Sequence, residues 1–338
     1  MKIKEKVKEL RDKKIPLYSI SRLNAFDTCQ YSYYKTYVQE PKDRGRPNIY
    51  SMMGNKLHDA LESIYNGEKD ESCLKSVIED GLMEADILGF DFPNQKIADS
   101  WIADIKHFAE TYKKMDMELK TEEEILFEVE PGLWIYGFSD ATFYDGEYAD
   151  VFDWKTSSEF KGEKLHHAGR QLVVYALAKQ SEGYIPRKVA WMMLKYMYVD
   201  FVQKNKKVKR TLCNRGKWVA KMEKPIKNQF PDSYDDFEID MMIDKAIAEN
   251  SISGLPQVVQ DAFTMHDCII EYELTDEAIA ETKQYIVDTV NAINAKNTDE
   301  SDWSPVVIDK STSFYCGQLC NHSHKCPYYK KYLSEMVE

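Results

Sequence analysis

The stretch from Glu124 to Thr156 constrains the fold more than any other part of the chain. It is rich in aromatic and β-branched residues, and it is broken only by Pro131-Gly132 and by Asp145-Gly146. An Asp-Gly pair between two such runs supplies the positive-φ backbone that a tight hairpin needs. The segment therefore predicts three antiparallel strands, at about 123–130, 133–144 and 148–156. Helical periodicity surrounds it. A short charged helix covers about 2–14, and Ser19 or Ser21 caps a second running to about Val38. After a polar loop from Pro41 to Pro47, a helix at 51–66 lines up Leu57, Leu61, Ile64 and Tyr65 on one stripe. Two more follow at about 71–87 and 95–118. Beyond the hairpins come a helix at about 164–181 and a strand-like run at 187–202. The central order is thus helices, three strands, helix, strand, an α/β (α+β) arrangement.

Four regions follow from this pattern: an N-terminal helical region at 1–120, a core at 121–202, a basic insertion with an accessory α/β region at 203–310, and a cysteine-bearing tail at 311–338. The accessory region carries acidic helical segments at about 233–250 and 275–296, with a strand at 267–273. No apolar run approaches the ~20 residues of a membrane span. The N-terminus lacks the apolar core of a secretory signal. The expectation is a cytoplasmic protein of a bacterial, archaeal or phage-infected cell, with no membrane partner. The net charge of -12 argues against a passive nucleic-acid coat, which needs broad basic cover. It leaves room for an enzyme with a local basic track and an acidic metal centre.

Side chains alternate along a strand, so Val151, Asp153 and Lys155 share one face while Phe152 and Trp154 take the other. Asp140 lies on the preceding strand, where pairing across the turn brings it toward Asp153. Two carboxylates in one pocket repel each other, and a divalent cation removes that penalty. Mg²⁺ prefers such hard oxygen ligands, and with Mg²⁺ or Mn²⁺ bound, water can be activated against a phosphodiester. Lys155 would orient the water or offset charge on the phosphate. The plainer reading is a surface Asp-Lys pair on an edge strand. His58 borders the apolar stripe of its helix, four residues before Glu62, and reads equally as a half-buried core histidine. Gln171 and Tyr175 stand at i and i+4 on one helix face, a spacing that ordinary packing also produces.

Seven cysteines are present; Cys73, Cys213 and Cys268 are scattered, while Cys316, Cys320 and Cys326 are clustered. That cluster is too tight for three unrelated thiols, and a four-thiolate site needs one more from elsewhere. His322 and His324 inside it leave zinc open, and reduced thiols without metal are the plain alternative. Residues 203–227 are strongly basic: Lys204, Lys206, Lys207, Lys209, Arg210, Arg215, Lys217, Lys221, Lys224 and Lys227 stand against Glu223 alone. Phosphate contacts, with Trp218 stacked on an unpaired base, are one reading; a solvated loop is the other. Tyr31, Tyr33, Tyr34 and Tyr37 are spaced for a helix packed on its neighbours.

Gly137-Phe138-Ser139-Asp140 followed by Val151-Phe152-Asp153-Trp154-Lys155-Thr156 resembles the PD-(D/E)xK nuclease superfamily, whose αβββαβ core carries an Asp and an (Asp/Glu)-x-Lys on adjacent strands. Gly54-Asn55-Lys56-Leu57-His58 upstream and Gln171-Leu172-Val173-Val174-Tyr175 downstream resemble its RecB-like branch, which includes the nuclease domains of RecB and AddB and the Cas4 proteins. The resemblance implies a restriction-endonuclease-like fold and makes His58, Asp140 and Asp153 metal ligands. It gives Lys155, Gln171 and Tyr175 catalytic or strand-placing roles, with Glu62 held as a contact to metal-bound water. Ser21 to Tyr31, around Cys29, is similar to the first-cysteine motif of Cas4 and AddB nucleases, and Cys326-Pro327-Tyr328-Tyr329 to their last. This implies a [4Fe-4S] cluster on Cys29, Cys316, Cys320 and Cys326. The three residues between Cys316 and Cys320, where the family has two, depart from that pattern and keep Zn²⁺ as the alternative. The implied activity is a metal-dependent DNA exonuclease on single-stranded or frayed ends, serving a helicase or recombination partner and possible as an oligomer. The competing reading is a partner-dependent DNA-binding subunit of a recombination, repair or CRISPR-adaptation-like complex.

Overall fold

A computed structural model describes residues 3–203 and 206–336. Lys204, counted above among the basic residues, lies outside them. The three strands form as the turn chemistry dictates: β2 (Leu119–Glu130), β3 (Leu133–Asp145) and β4 (Tyr148–Lys155), following a two-residue β1 (Leu17–Tyr18). Gly132 and Gly146 sit at φ +86 and +60 in the two turns, where a side chain would be strained. The strand β3 pairs antiparallel with both β2 and β4, and parallel with β1 at Trp134 and Ile135. From β4 the chain crosses through α7 (Glu163–Ser181) into β5 (Ile185–Val202), which lies parallel to β4. A parallel pair requires such a crossover, and a helix provides it.

Helices cover both faces of the sheet. Ahead of the hairpins run α1 (Ile3–Asp12), α2 (Ile20–Thr28), α3 (Gln30–Tyr33), α4 (Ile49–Tyr65), α5 (Cys73–Leu88) and α6 (Gln95–Thr111). Asn48 caps α4 in a box with Ser51, Asn94 caps α6, and Gly89 closes α5 in the left-handed region. The even-numbered face of β4, Phe152 and Trp154, packs with Leu57, Leu61, Ile105 and Phe108 of α4 and α6. The odd-numbered face, with Val151, packs with Leu172 and Val173 of α7, Leu23 of α2 and Ile286. Alternation along one strand thus divides two cores.

Three expectations shift. The second helix does not run unbroken to Val38: Cys29 interrupts it in extended conformation, φ -162 and ψ 106, and a π-helical turn at Tyr34–Val38 follows α3. The helix expected to reach 118 ends at Thr111, because β2 begins at Leu119 and needs the intervening residues as a connection. The basic stretch is not a solvated loop. Its first part is β6 (Val208–Asn214), paired with β5, and its second is α8 (Trp218–Lys221) and α9 (Glu223–Lys227). Trp218 is 2% exposed and its indole N–H donates to the Asn250 carbonyl at 3.0 Å, so it offers no face to a base. Arg215 is buried and paired with Asp267, while Lys206, Lys209, Lys217, Lys221 and Lys224 remain exposed. The tyrosines Tyr31, Tyr33 and Tyr34 are buried, in keeping with a packing role.

The rest of the accessory region is α10 (Asp236–Glu249), α11 (Gln257–Gln260), β7 (Phe263–Glu271) and α12 (Asp276–Asn294), and the chain closes with α13 (Pro327–Glu335). Both β6 and β7 join β5, so this region extends the same seven-stranded sheet. It is pinned to α6 at Gly216, whose N–H donates to the buried Asp104 carboxylate at 2.8 Å. A Cβ at Gly216 would stand 2.6 Å from Cβ of Ala103 and 2.7 Å from its backbone. Gly216→Ala is therefore expected to cost about 1–3 kcal/mol of stability, the usual range for overpacking a tight contact. A urea midpoint equal to wild type would show that the two elements part easily. Among the described residues, no helix is long and apolar enough to cross a membrane.

Candidate active site

Two strands and two helices meet where β3 and β4 stop pairing. Their ladder ends at Ala141 opposite Phe152, and Asp140 and Asp153 are the next residues outward. Asp153 is 0% exposed. Burial pushes its carboxyl up to about 6, the Asp140 charge adds to that, and Lys155 opposes it. Asp140 is also raised to about 6, chiefly by burial, against the pull of Lys155 and of the Trp154 N–H. That N–H donates to Asp140 Oδ2 at 3.0 Å and fixes the carboxylate on the strand beside it.

Neither oxygen of Asp153 accepts an aligned hydrogen bond, although the Lys155 ammonium stands 2.6 Å from Oδ2. The short ion pair and the missing hydrogen bond describe the same contact: the charges meet, but the angle is poor. The ion pair holds nonetheless, because attraction between charges survives misalignment better than a hydrogen bond does. Burial lowers the Lys155 pKa and the two carboxylates raise it by more, so the ammonium stays charged. Its other contact is Gln171 Oε1 at 3.2 Å, and the Gln171 amide N–H donates to the Tyr175 hydroxyl at 2.6 Å. The Tyr175–Gln171–Lys155–Asp153 chain joins α7 to β4 and holds the ammonium at the carboxylates. Tyr175 is buried, which keeps its hydroxyl protonated.

His58 enters from α4 on the opposite side. Its Nε2 lies 2.8 Å from the Trp154 carbonyl, which only accepts, so Nε2 carries the proton. Burial lowers the His58 pKa and leaves the ring neutral at neutral pH. Nδ1 therefore presents a lone pair, 3.4 Å from Asp140 Oδ2. Two acceptors facing each other repel unless a cation stands between them. Together with Asp153 Oδ1, which accepts no hydrogen bond, this donor set suits a hard or borderline divalent ion. Among the described residues, no three His, Cys, Asp or Glu side chains stand in a geometry that could hold a metal ion as they are. Ligation would require side-chain movements.

A family model for the PD-(D/E)XK nuclease superfamily matches residues 18–327. The chain belongs to that superfamily. No curated protein matches significantly. One solved structure, described as "Crystal structure of SSO0001", shares 15% identity over 91% of this chain and 95% of its own, with a TM-score of 0.26, too loose a superposition to bear on the site. Membership makes nuclease chemistry the general activity, and the αβββαβ order of α4–α6, β2–β4, α7 and β5 is the mixed α/β fold expected of it.

The four cysteines expected to act together also converge. Cys29, Cys316, Cys320 and Cys326 line one small cavity with Ser32, Tyr315 and His322. Burial, and after it the neighbouring Cys29, Cys320 and Cys326, raise the Cys316 thiol to about 11. The enclosed space is about 20 Å³, so a cluster enters only as the four thiols part, whereas a single ion needs less. His322 is buried there and bonds Thr36 Oγ1 at 3.0 Å.

One residue escaped the sequence reading altogether. Thr121 pairs with Ala141 and Glu123 with Ser139, so Glu122 falls opposite Asp140 in register. No motif marks it; only the register of β2 against β3 brings it there. A cavity of about 560 Å³ lies elsewhere, against His107, Arg215 and Trp218.

Proposed function

We propose that this superfamily member is a divalent-metal-dependent deoxyribonuclease of the RecB-like branch, acting as an exonuclease on single-stranded or frayed DNA. The observation that carries the reading is the contact of His58 Nδ1 with Asp140 Oδ2 at 3.4 Å, with no proton between the two acceptors, beside the fully buried Asp153 carboxylate. These three residues would hold Mg²⁺ or Mn²⁺. Bound there, the ion would supply Lewis acidity that activates water and offsets charge on a phosphodiester. Asp140 and Asp153 bind and orient. Lys155, kept charged and aimed by Gln171 and Tyr175, neutralises a phosphate oxygen or steadies the attacking water. The exposed lysines of β6, α8 and α9 supply phosphate contacts that carry no sequence information. This suits cutting that follows a strand end rather than a recognition site.

The experiment is a degradation assay with Mn²⁺ on end-labelled single strands, linear duplex and covalently closed circles. Labelled single strands should shorten and closed circles should persist, with Lys155→Ala slower by roughly 10²–10³-fold, the scale of losing one electrostatic contact to the transition state. Binding of single strands without metal-dependent shortening would favour a partner-dependent DNA-binding subunit. The four-thiol pocket supports a [4Fe-4S] cluster or Zn²⁺ on Cys29, Cys316, Cys320 and Cys326, with a structural role.

A further inference from the structure

The β2–β3 ladder is regular on both sides of Glu122, from Leu119 opposite Phe143 to Glu128 opposite Trp134, and Glu122 is the one residue between them that does not pair. Its φ is +48, a left-handed conformation that non-glycine residues rarely adopt in a strand. The site of this interruption is opposite Asp140. One step further across the sheet, Asp140 neighbours Asp153. Three carboxylates therefore stand in one row on three adjacent strands, the outermost open to solvent. Asp59 and Glu62 of α4 lie close enough to raise the Glu122 pKa, after the effect of partial burial, and Glu122 in turn raises that of Asp140.

We propose that Glu122 is a further positioning residue of the nuclease centre, whose carboxylate acts through Asp140 to set the affinity of the site for its divalent ion. The inference rests on the metal-dependent reading above. Glu122 is not a ligand. It is exposed, and it adds negative charge beside the ligand set. Residues in this relation to a metal typically change its affinity by 10–100-fold when altered. Exposure screens the charge, so the effect falls below that range, roughly three- to tenfold.

The test separates charge from backbone shape. Asp and Asn both tolerate a left-handed backbone and differ only in charge, so Glu122→Asp and Glu122→Asn form a matched pair. Mn²⁺ binding is measured by the loss of the free-ion electron paramagnetic resonance signal, and cleavage of a labelled single strand is followed as Mn²⁺ is titrated. The Asn variant should bind Mn²⁺ three- to tenfold more weakly, with a matching rise in the half-saturating Mn²⁺ concentration. Its rate at saturating Mn²⁺ should stay within about threefold of wild type, while the Asp variant binds like wild type. Equal Mn²⁺ affinity in the Asn and Asp variants, with wild type binding the ion, would overturn this inference and leave the nuclease reading intact. Failure of wild type itself to bind Mn²⁺ would overturn both.

Discussion

Asp153→Asn should make the metal-free protein more stable at neutral pH while reducing Mn²⁺-dependent cleavage by roughly 10³-fold or more. The loss of activity follows from removing one of the groups proposed to hold the ion. The gain in stability follows from burial. The Asp153 carboxyl is raised from 3.8 to about 6 in the folded chain, so the folded state holds its proton more tightly than the unfolded state does. Such a group favours folding below about pH 4, and that contribution is lost as pH rises through about 6. Asp140 shifts the same way and shares Lys155, so the two titrate as a pair. Removing one charge leaves Lys155 with Asp140 and Gln171, a neutral arrangement in place of a net negative one. The expected gain is on the order of 1–3 kcal/mol at pH 7.5, and it vanishes near pH 4.

Divalent ion should reverse the order. Binding to the folded state alone stabilises wild type by about 2.7 kcal/mol at a hundredfold excess over Kd, and the Asn variant by much less. Thermal melts at pH 4.5 and 7.5, with chelator and with Mn²⁺, give the four values needed. An Asn variant that melts below wild type in chelator at pH 7.5 by as much as at pH 4.5 would make Asp153 a structural group and remove the main support for a metal centre.

Much of this centre was legible because its parts are local. Asp-Gly at 145–146 fixes a hairpin, the hairpin fixes a register, and period-two alternation then places Asp153 with Lys155 and opposite Asp140. Gln171 and Tyr175 share a face for the equally local reason of helical spacing, and the structure bonds them to each other. The order of elements followed from the same signals. What was not legible depends on contacts between distant parts. Trp218 sits among lysines and reads as a surface residue, yet it is buried with Val219, Ile226 and Ile243 in a third core around the end of β5. Arg215 reads as one more phosphate-binding cation, but its charge is spent on Asp267, on a strand that sequence periodicity does not pair with it. The break at Cys29 has no local cause either, since nothing in Thr28-Cys29-Gln30 forbids a helix. Its neighbours are in the tail, where Tyr31 N–H donates to the Ser304 carbonyl at 3.2 Å and the Tyr31 and Tyr328 rings meet edge to face.

That junction yields the second large effect, on stability. Cys29→Ser should leave the metal-free protein nearly unchanged and strip the loaded protein of most of its extra stability. The metal-free junction does not depend on the thiol. Arg46 N–H donates to the Asn321 carbonyl at 2.7 Å, Asn48 Nδ2 to the Leu319 carbonyl at 3.0 Å, and Lys35 pairs with Glu300 at 2.9 Å. Serine is close to cysteine in size, and these contacts persist without the sulfur. With iron or zinc bound, Cys29 ties the second helix to a tail nearly the whole chain away, and metal affinity becomes part of the folding free energy. Closing so long a loop removes freedom from the unfolded chain, by analogy with a disulfide on the order of 3–5 kcal/mol. Protein purified without oxygen should carry a broad absorbance near ~400 nm if the four thiols hold a cluster, and zinc without colour if they hold a single ion. In either case Cys29→Ser should lower both the metal content and the melting temperature toward those of chelated wild type. Full metal content in the variant would remove Cys29 from the site and pass its place to His322, the remaining ligand type in the same cavity.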